Sequence, residues 1–349
     1  MDFQLKRLWV KENKKDKEIW ETLLLQADIY SENNVEYTAG LFDGDRLIAT
    51  GSISGNVLKC IAVCKKYTGG GVINKLISHL MSIVFQNGKT ACYVYTKPSA
   101  KKSFAYLGFK EIEQVGDELV FMEKSTFGFP YFIERLKKQH IDGKKIASIV
   151  MNANPFTKGH LHLVETAARE NDVVHLFVLS EDASVFPAKD RLELVEKGVE
   201  HLNNVYVKGT GNYMVSSATF PSYFLKEESN VTKIHATLDA IIFKKWIAKA
   251  LNISKRYVGE EPCSEATNIY NESMKEVFNN EINLVILPRK SENGEIISAS
   301  KVRHMLSLND VDKLKDFVPQ STFEYLQSSK GREIQNKLMR SEINDGFNN

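Results

Sequence analysis

The sequence predicts an α/β protein of two domains, the second of which has a doubly wound parallel sheet. The chain has 349 residues, which is more than one ordinary hydrophobic core holds. From Lys144 onward, short apolar runs rich in β-branched residues alternate with segments of helical periodicity. This alternation is typical of a parallel sheet covered by helices, which binds its ligands at the carboxyl ends of the strands.

Composition narrows the class of protein. Hydrophobic residues make up 43% of the chain and charged residues 26%, which is typical of a soluble globular protein. The net charge of +2 does not suggest a nucleic-acid partner. The amino terminus has no apolar signal segment and no membrane-length apolar run follows, so we expect a cytoplasmic protein. The four cysteines lack C-x-x-C spacing, which indicates reduced thiols and no protein-bound metal.

The pattern of apolar residues over 1–125 predicts a first domain of mixed strands and helices. We expect helices over 11–29, 72–81 and 99–107, and strands over 37–41, 46–52, 57–63 and 91–96, with a closing hairpin through Phe121. The turn Gly69-Gly70-Gly71 lies between a strand and a helix, where backbone N–H groups can face an anion. A plain glycine-rich loop is the alternative interpretation.

A connecting helix is predicted over 126–143, followed by the second domain over 144–327 and a polar tail over 328–349. In the second domain we expect strands over 146–151, 173–179, 205–207, 234–237, 256–258 and 282–287. Helices are predicted after Lys158, over 190–201, from Tyr223, over 240–251 and over 267–278. Partial disorder is expected after Lys330, because the segment is polar.

The turn after the strand 146–151 contains Thr157-Lys158-Gly159-His160 at the start of a helix. A helix start offers unpaired N–H groups and the positive end of the helix dipole, and both favour a phosphate. Gly159 allows close backbone approach, and His160 can donate a hydrogen bond to a phosphoryl oxygen whose charge grows in the transition state. Ordinary helix capping with a structural histidine is the alternative.

A second anion site is predicted far downstream, in Ile297-Ser298-Ala299-Ser300-Lys301-Val302-Arg303. Two hydroxyls at a helix start and a guanidinium one turn later suit a phosphate. An ordinary serine N-cap explains one serine but gives Arg303 no role.

These two motifs, in this order, resemble the H/T-x-G-H and I-S-x-S-x-x-R signatures of the nucleotidyltransferase superfamily. The narrower likeness is to the acetate:citrate lyase ligase family and covers nearly the whole chain. It is carried by Asn152–His160, Phe186-Pro187 with Arg191, Arg256–Pro262 and Thr267–Asn271. The resemblance implies a mixed α/β domain similar to the GNAT acetyltransferases, followed by a Rossmann-like doubly wound nucleotidyltransferase domain.

The resemblance also implies an acid–thiol ligase that uses ATP and Mg²⁺, with the metal carried by the ATP phosphates. Its implied substrates are acetate and the thiol of the phosphoribosyl-dephospho-coenzyme A group on the acyl carrier subunit of the citrate lyase complex. Thr157, His160 and Arg303 take the catalytic positions. The implied ATP- and phosphate-binding residues are Asn154, Phe156, Lys158, Gly159, Arg191, Gly259, Glu260, Ser298 and Ser300.

In the first domain, the glycine-rich turn and Leu107-Gly108-Phe109 resemble the GNAT fold, which implies that Gly69 and Gly71 bind a coenzyme-A-like arm. The tyrosine that serves as general acid in many GNAT enzymes is replaced by Phe104, which has no proton to give, and Tyr106 points to another face of its helix. We therefore expect this domain to bind the arm rather than to catalyse transfer alone.

Three other functions use parts of the same pattern. An adenylyltransferase acting on a phosphate-bearing acceptor needs both motifs but not the first domain. A GNAT-type acetyltransferase needs acetyl-coenzyme A, which Phe104 argues against. A coenzyme-binding regulator leaves the paired motifs without a purpose.

Overall fold

The computed structural model describes residues 3–68, 71–181, 184–214, 228–260, 265–292, 294–310 and 312–346. Its contacts divide the chain into two compact units. One is formed by residues 1–135 and 220–238, and the other by residues 136–219 and 239–349.

The first unit contains a seven-stranded mixed sheet. Its elements are β1 (Gln4–Leu8), α1 (Lys14–Gln26), β2 (Tyr37–Asp43), β3 (Arg46–Ser54), β4 (Val57–Val63), α2 (Val72–Gln86), β5 (Ala91–Thr96), α3 (Lys101–Tyr106), β6 (Lys110–Val115) and β7 (Leu119–Ser125). The strand order is β1-β2-β3-β4-β5-β7-β6. Only β4 and β5 pair in parallel; the other neighbours are antiparallel. The predicted mixed α/β fold is confirmed, and β1, which the sequence did not predict, adds an edge strand.

The glycine-rich turn follows β4 in the chain, and β4 pairs in parallel with β5. These strands pair at Val57 with Tyr93 and at Leu58 with Val94, near the start of β4. Gly71 precedes α2 with a φ of 79°, which is in the left-handed region that glycine adopts most easily. Gly69 and Gly70 lie outside the described residues. Phe104 is buried and Tyr106 is 90% exposed, so neither position offers a buried tyrosine hydroxyl.

The chain passes between the units at α4 (Phe129–Lys137), inside the predicted connecting segment. The contact boundary falls at residues 135 and 136. The predicted domain limits at residues 125 and 144 stay a prediction. Within the described part of the chain, no helix combines the length and the apolar character that a membrane span needs.

The second unit is built on a five-stranded sheet. Its first half contains β8 (Ile146–Met151), α5 (Lys158–Glu170), β9 (Val173–Val178), α6 (Ala188–Val199) and β10 (Val205–Gly209). Helix α7 (Glu228–Ile242) belongs to the first unit up to Leu238 and to the second unit from Asp239, and it continues as a π-helix (Phe243–Ala248) and α8 (Lys249–Leu251). The later elements are β11 (Lys255–Gly259), α9 (Glu265–Phe278), β12 (Asn283–Leu287), the short pair β13 (Ser291–Glu292) and β14 (Glu295–Ile296), α10 (Ala299–Ser307), α11 (Gln320–Gln327) and α12 (Ser329–Gly346).

The order β10-β9-β8-β11-β12 is parallel throughout. Because the chain moves outward in one direction from β8 to β10 and in the other direction from β11 to β12, the order reverses between β8 and β11. The predicted doubly wound sheet is therefore confirmed, and its ligand crevice is expected at this reversal.

The predicted strand over 234–237 is wrong, because these residues belong to α7. Ile234, Leu238 and Ile242 are buried at four-residue intervals, which is helical spacing. Four residues of mixed apolar and β-branched character were too few to reveal that period. The predicted start of a helix at Tyr223 lies outside the described residues.

The expected partial disorder after Lys330 is wrong as far as Gly346, because α12 runs from Ser329 to Gly346, and residues 347–349 lie outside the described residues. Ile334 is buried in an apolar cluster with residues of α10 and α11. Lys330 Nζ donates to Asp190 Oδ1 over 2.8 Å and so ties α12 to α6. The segment is polar overall, but it contains apolar residues on one face of the helix, and this face packs against the apolar cluster.

Candidate active site

Three loops meet the carboxyl edge of the sheet beside the reversal of strand order. They follow β8, β11 and β12, and they carry both sequence motifs and the segment Gly259-Glu260. In the loop after β8, Ala153 has a φ of 51°, a conformation that costs a non-glycine residue about 1–3 kcal/mol. Such backbone strain is concentrated at functional sites in proteins.

The first motif forms a capping box at the start of α5. Thr157 Oγ1 accepts a hydrogen bond from the His160 N–H at 3.3 Å, and His160 Nδ1 accepts one from the Thr157 N–H at 3.1 Å. Because Nδ1 acts as an acceptor, the proton of the neutral ring is on Nε2. The cap therefore selects the tautomer that presents an N–H donor on the other side of the ring.

The imidazole ring of His160 is neutral at pH 7, because its pKa is lowered. Removal from water, together with the nearby charge of Arg289, lowers its pKa from 6.5 to about 4. Its ring stacks on Phe156 with an interplanar angle of 10° and a centroid distance of 5.9 Å. Phe156 is fully buried, so its side chain supports the ring of His160.

The second motif starts α10 in a similar way. Ser298 is the N-cap residue, and its Oγ accepts a hydrogen bond from the Lys301 N–H at 3.1 Å. Arg303 Nη2 donates to Ser300 Oγ at 3.0 Å. The Ser300 hydroxyl therefore contacts the Arg303 guanidinium across the first turn of the helix, and the Ser298 hydroxyl caps that turn. The anion site at this motif stays a prediction.

The second motif contacts the loop that leads into the first motif. Arg303 Nη1 donates to the backbone oxygen of Asn154 over 2.6 Å, although the residues are 149 positions apart. The Lys158 N–H donates to Phe317 O at 2.9 Å. A Cβ on Gly159 would lie 3.5 Å from Ile297 O, an ordinary contact distance, so the protein alone does not require glycine there.

An apolar cluster holds α10 in this position. It contains Phe186 from the loop before α6, Ile297 and several residues of α10, α11 and the segment between them. Asn154 Oδ1 accepts a hydrogen bond from the Phe186 N–H at 3.1 Å, which fixes the loop after β8 to the same cluster.

Arg191 is not placed as predicted. Its side chain is fully buried on α6, where Nε donates to Phe186 O at 3.0 Å and Nη1 donates to Asn152 O at 2.8 Å. Nη2 donates to Glu181 O. These bonds join the loop after β8 to the loop between β9 and α6, and they turn the guanidinium toward backbone oxygens. Arg191 therefore positions the site, and its predicted contact with phosphate needs a correction.

The opposite wall consists of Gly259, Glu260 and Arg289. The Glu260 N–H donates to Leu287 O at 2.8 Å, and Glu260 O accepts a hydrogen bond from Arg289 Nε at 2.8 Å. Within the described residues, a Cβ on Gly259 would meet no atom within 4 Å. Among the described residues, the space beside Gly259 is therefore unoccupied, and the cationic side chain of Arg289 is bonded to the next residue, Glu260.

Sequence reasoning missed two residues of this site, Asn152 and Arg289. Asn152 accepts from Arg191, and its side chain exchanges hydrogen bonds with Ser184. Arg289 directly follows Leu287-Pro288 at the carboxyl end of a predicted strand, and that position was the available signal. Lys158 is only partly buried. Among the described residues, no three His, Cys, Asp or Glu side chains cluster closely enough to hold a metal.

The chain shares extensive sequence similarity with known proteins. Residues 146–326 match the family model for the citrate lyase ligase C-terminal domain. The [citrate [pro-3S]-lyase] ligase of Escherichia coli K12 is 37% identical over 323 residues, which span 91% of this chain and 92% of that protein. The phosphopantetheine adenylyltransferase of Clostridium perfringens is 27% identical over 176 residues, or 50% of this chain and 88% of that enzyme.

Solved structures overlap with part of the chain. A GNAT-family acetyltransferase from Staphylococcus aureus covers 36% of this chain and 99% of its own, with 15% identity and a TM-score of 0.31. The family match over 146–326 and the 37% identity over nearly the whole length agree with each other. The chain belongs to the [citrate (pro-3S)-lyase] ligase family.

Proposed function

We propose that this enzyme acetylates the prosthetic thiol of the citrate lyase acyl carrier in an ATP-dependent reaction, and so activates citrate lyase. One observation carries the proposal: Arg303 joins the two phosphate motifs through Asn154 O at the reversal of strand order. The overall reaction is ATP + acetate + thiol to AMP + diphosphate + acetyl thioester.

The first step activates the carboxylate. Acetate does not acylate a thiol at neutral pH, because oxide is a poor leaving group. Attack of an acetate oxygen on the α-phosphorus of ATP forms a C–O–P bond and breaks the bond to pyrophosphate. The protein contributes positioning and charge stabilisation to such a transfer.

The residues of the two motifs have different roles in this step. The Nε2–H of neutral His160 and the start of α5 at Thr157 stabilise the charge that develops on the α-phosphate. Ser298, Ser300 and Arg303 bind the departing pyrophosphate, with Lys158 at its edge. Because no metal-binding cluster of His, Cys, Asp or Glu occurs among the described residues, Mg²⁺ would be carried by the phosphates of ATP, where it would neutralise their charge.

The second step transfers the acetyl group. The carrier thiolate attacks the carbonyl carbon of acetyl-adenylate, a C–S bond forms and AMP leaves with the shared oxygen. The substrate thiol belongs to phosphoribosyl-dephospho-coenzyme A on the acyl carrier subunit. We assign the binding of this arm to the glycine-rich turn of the first unit, with Gly71 at the start of α2.

The first experiment measures ATP–pyrophosphate exchange with and without acetate. In a parallel reaction, deacetylated citrate lyase is added and its carrier subunit is weighed by mass spectrometry. Acetate-dependent exchange together with a carrier heavier by one acetyl group is the expected result. Exchange that does not depend on acetate would contradict the proposal.

A second experiment tests the separate role of the first unit. Gly71→Ala places a side chain at φ 79°, and Gly88→Ala does the same at φ 76° at the other end of α2, with open space around both positions in the described structure. The two variants therefore carry similar backbone strain. We expect Gly71→Ala alone to slow carrier acetylation while acetate-dependent exchange continues. Equal effects of both variants on carrier acetylation would count against arm binding at Gly71.

An adenylyltransferase that acts on a phosphate-bearing acceptor is the second candidate. The 27% identity to a phosphopantetheine adenylyltransferase over half of the chain favours it. That reaction also releases pyrophosphate but needs no acetate. Exchange that requires phosphopantetheine instead of acetate would support this candidate.

A further inference from the structure

We infer that Phe317 is a positioning residue that sets the spacing between the two phosphate motifs, because it contacts both of them. The inference rests on the proposed function, since it concerns how one nucleotide is held by two helix starts. Phe317 belongs to neither motif.

Phe317 lies in the segment between α10 and α11. A short 3-10 helix (Asp312–Asp316) precedes it, and the Phe317 N–H donates to Leu314 O at 3.0 Å. Its side chain is 5% exposed and belongs to the apolar cluster that holds α10. Both its backbone and its ring are therefore fixed in place.

The backbone of Phe317 contacts the first motif. Its carbonyl oxygen accepts a hydrogen bond from the Lys158 N–H at 2.9 Å. Lys158 is the first residue of α5, where the N–H groups have no acceptor within the helix. The capping box satisfies the N–H groups of Thr157 and His160, and Phe317 supplies the acceptor for Lys158.

The ring of Phe317 contacts the second motif. Lys301 Nζ lies 4.9 Å from the centroid of this ring, which is within the range of a cation–π contact. The same ammonium is paired with Glu295, and the Lys301 N–H donates to Ser298 Oγ at 3.1 Å. The ring therefore contacts the residue whose backbone completes the serine cap.

Two contacts hold the start of α10 from different directions. Arg303 is bonded to Asn154 O, while Lys301 lies over Phe317. Side chains two residues apart on a helix point about 200° away from each other. One contact alone would let the helix turn about it, whereas two contacts fix both its distance and its orientation relative to α5.

This spacing matters for the proposed reaction. The α-phosphate of ATP lies at the first motif and the departing pyrophosphate at the second, so the separation of the motifs has to match the triphosphate. A misplacement of about 1 Å can slow a reaction about 100-fold.

The test uses the full chain with Phe317→Leu and the matched control Phe323→Leu. Phe323 is 6% exposed in the same apolar cluster, and Lys315 Nζ lies 5.2 Å from its ring centroid, but neither residue belongs to a motif. Affinities for ATP and for AMP are measured by calorimetry, and urea unfolding is measured on the same samples.

We expect both variants to lose similar amounts of stability, because each removes a buried ring from one cluster. Phe317→Leu alone should weaken ATP binding about tenfold or more and change AMP binding less than about threefold, because only ATP spans both motifs. Unchanged ATP affinity in Phe317→Leu would overturn the inference. Equal losses of ATP and AMP affinity, or an equal loss of ATP affinity in Phe323→Leu, would also overturn it.

Lys301→Gln tests the ring contact without disturbing the apolar cluster. We expect the double variant with Phe317→Leu to lose about as much ATP affinity as Phe317→Leu alone, because both changes remove the same contact. Losses that multiply independently would refute the contribution of the lysine–ring contact.

The two levels of the proposal fail separately. If the wild-type protein binds ATP but shows no acetate-dependent exchange, the ligase reaction is contradicted, and the ratio of ATP to AMP affinity still decides the role of Phe317. If exchange is acetate-dependent and this ratio is unchanged in Phe317→Leu, the ligase reaction stands and the positioning role is refuted.

Discussion

Replacing His160 with Gln separates its capping role from its proposed role in catalysis. Gln at the fourth position of a capping box can accept the hydrogen bond from the N-cap N–H, as His160 Nδ1 does from Thr157 at 3.1 Å. The amide that reaches back to Thr157 cannot also present a donor where Nε2 lies. The variant therefore keeps the helix start and loses the phosphate contact.

The expected magnitudes follow from these contacts. Loss of one preorganised donor to a developing oxyanion costs about 10²–10³ in rate, or about 2.7–4 kcal/mol. Loss of the stacked ring on Phe156 costs about 0.5–1.5 kcal/mol of folding free energy. His160→Ala removes the cap partner as well, which adds about 1 kcal/mol.

The assay is acetate-dependent ATP–pyrophosphate exchange, with thermal unfolding of the same samples. We expect His160→Gln and His160→Ala to lose similar amounts of activity, while His160→Ala unfolds a few degrees lower. An exchange rate within about threefold of wild type in His160→Gln would refute the reasoning, because the expected loss of one oxyanion donor is far larger.

Three further predictions concern the same region. Arg303→Lys cannot bond Asn154 O and bind pyrophosphate together, so we expect about 10²-fold slower exchange, measured against pyrophosphate concentration. Because the His160 pKa is lowered, its contribution to stability is complete above pH 6.5 and is lost as pH falls toward about 4, by about 3 kcal/mol in total. NMR titration should show a ring that stays neutral at pH 6, with a pKa that rises in Arg289→Gln. In Gly198→Ala, the new Cβ would lie 2.5 Å from Phe156 Cε1, and we expect a loss of about 1–3 kcal/mol in urea unfolding.

The local parts of this site could be predicted from the sequence. A strand, a turn and a capped helix involve residues within one or two turns of each other, so Thr157 and His160 could be assigned to a helix start. The same holds for Ser298 and Ser300. The alternation of strands and helices also predicted the parallel sheet, because the spacing of apolar residues in the sequence distinguishes strands from helices.

Other predictions failed where packing decided the outcome. The segment 234–237 has strand-like residues, but Ile234, Leu238 and Ile242 are buried at helical spacing, and the segment is part of α7. The polar tail forms α12, because Ile334 docks into a cluster made by distant segments. Arg191 looked like a phosphate ligand, yet it is fully buried and bonded to backbone oxygens.

The sequence by itself determined the two capped helix starts and the doubly wound sheet, because these depend on local hydrogen bonding and on periodic burial, and its motifs carried the resemblance to the family. Only the tertiary structure decided that Arg303 reaches Asn154 and that Arg289 lies near His160. Those contacts join segments more than a hundred residues apart. Their geometry depends on how the apolar cluster beneath α10 and the order of β8, β11 and β12 bring the loops together.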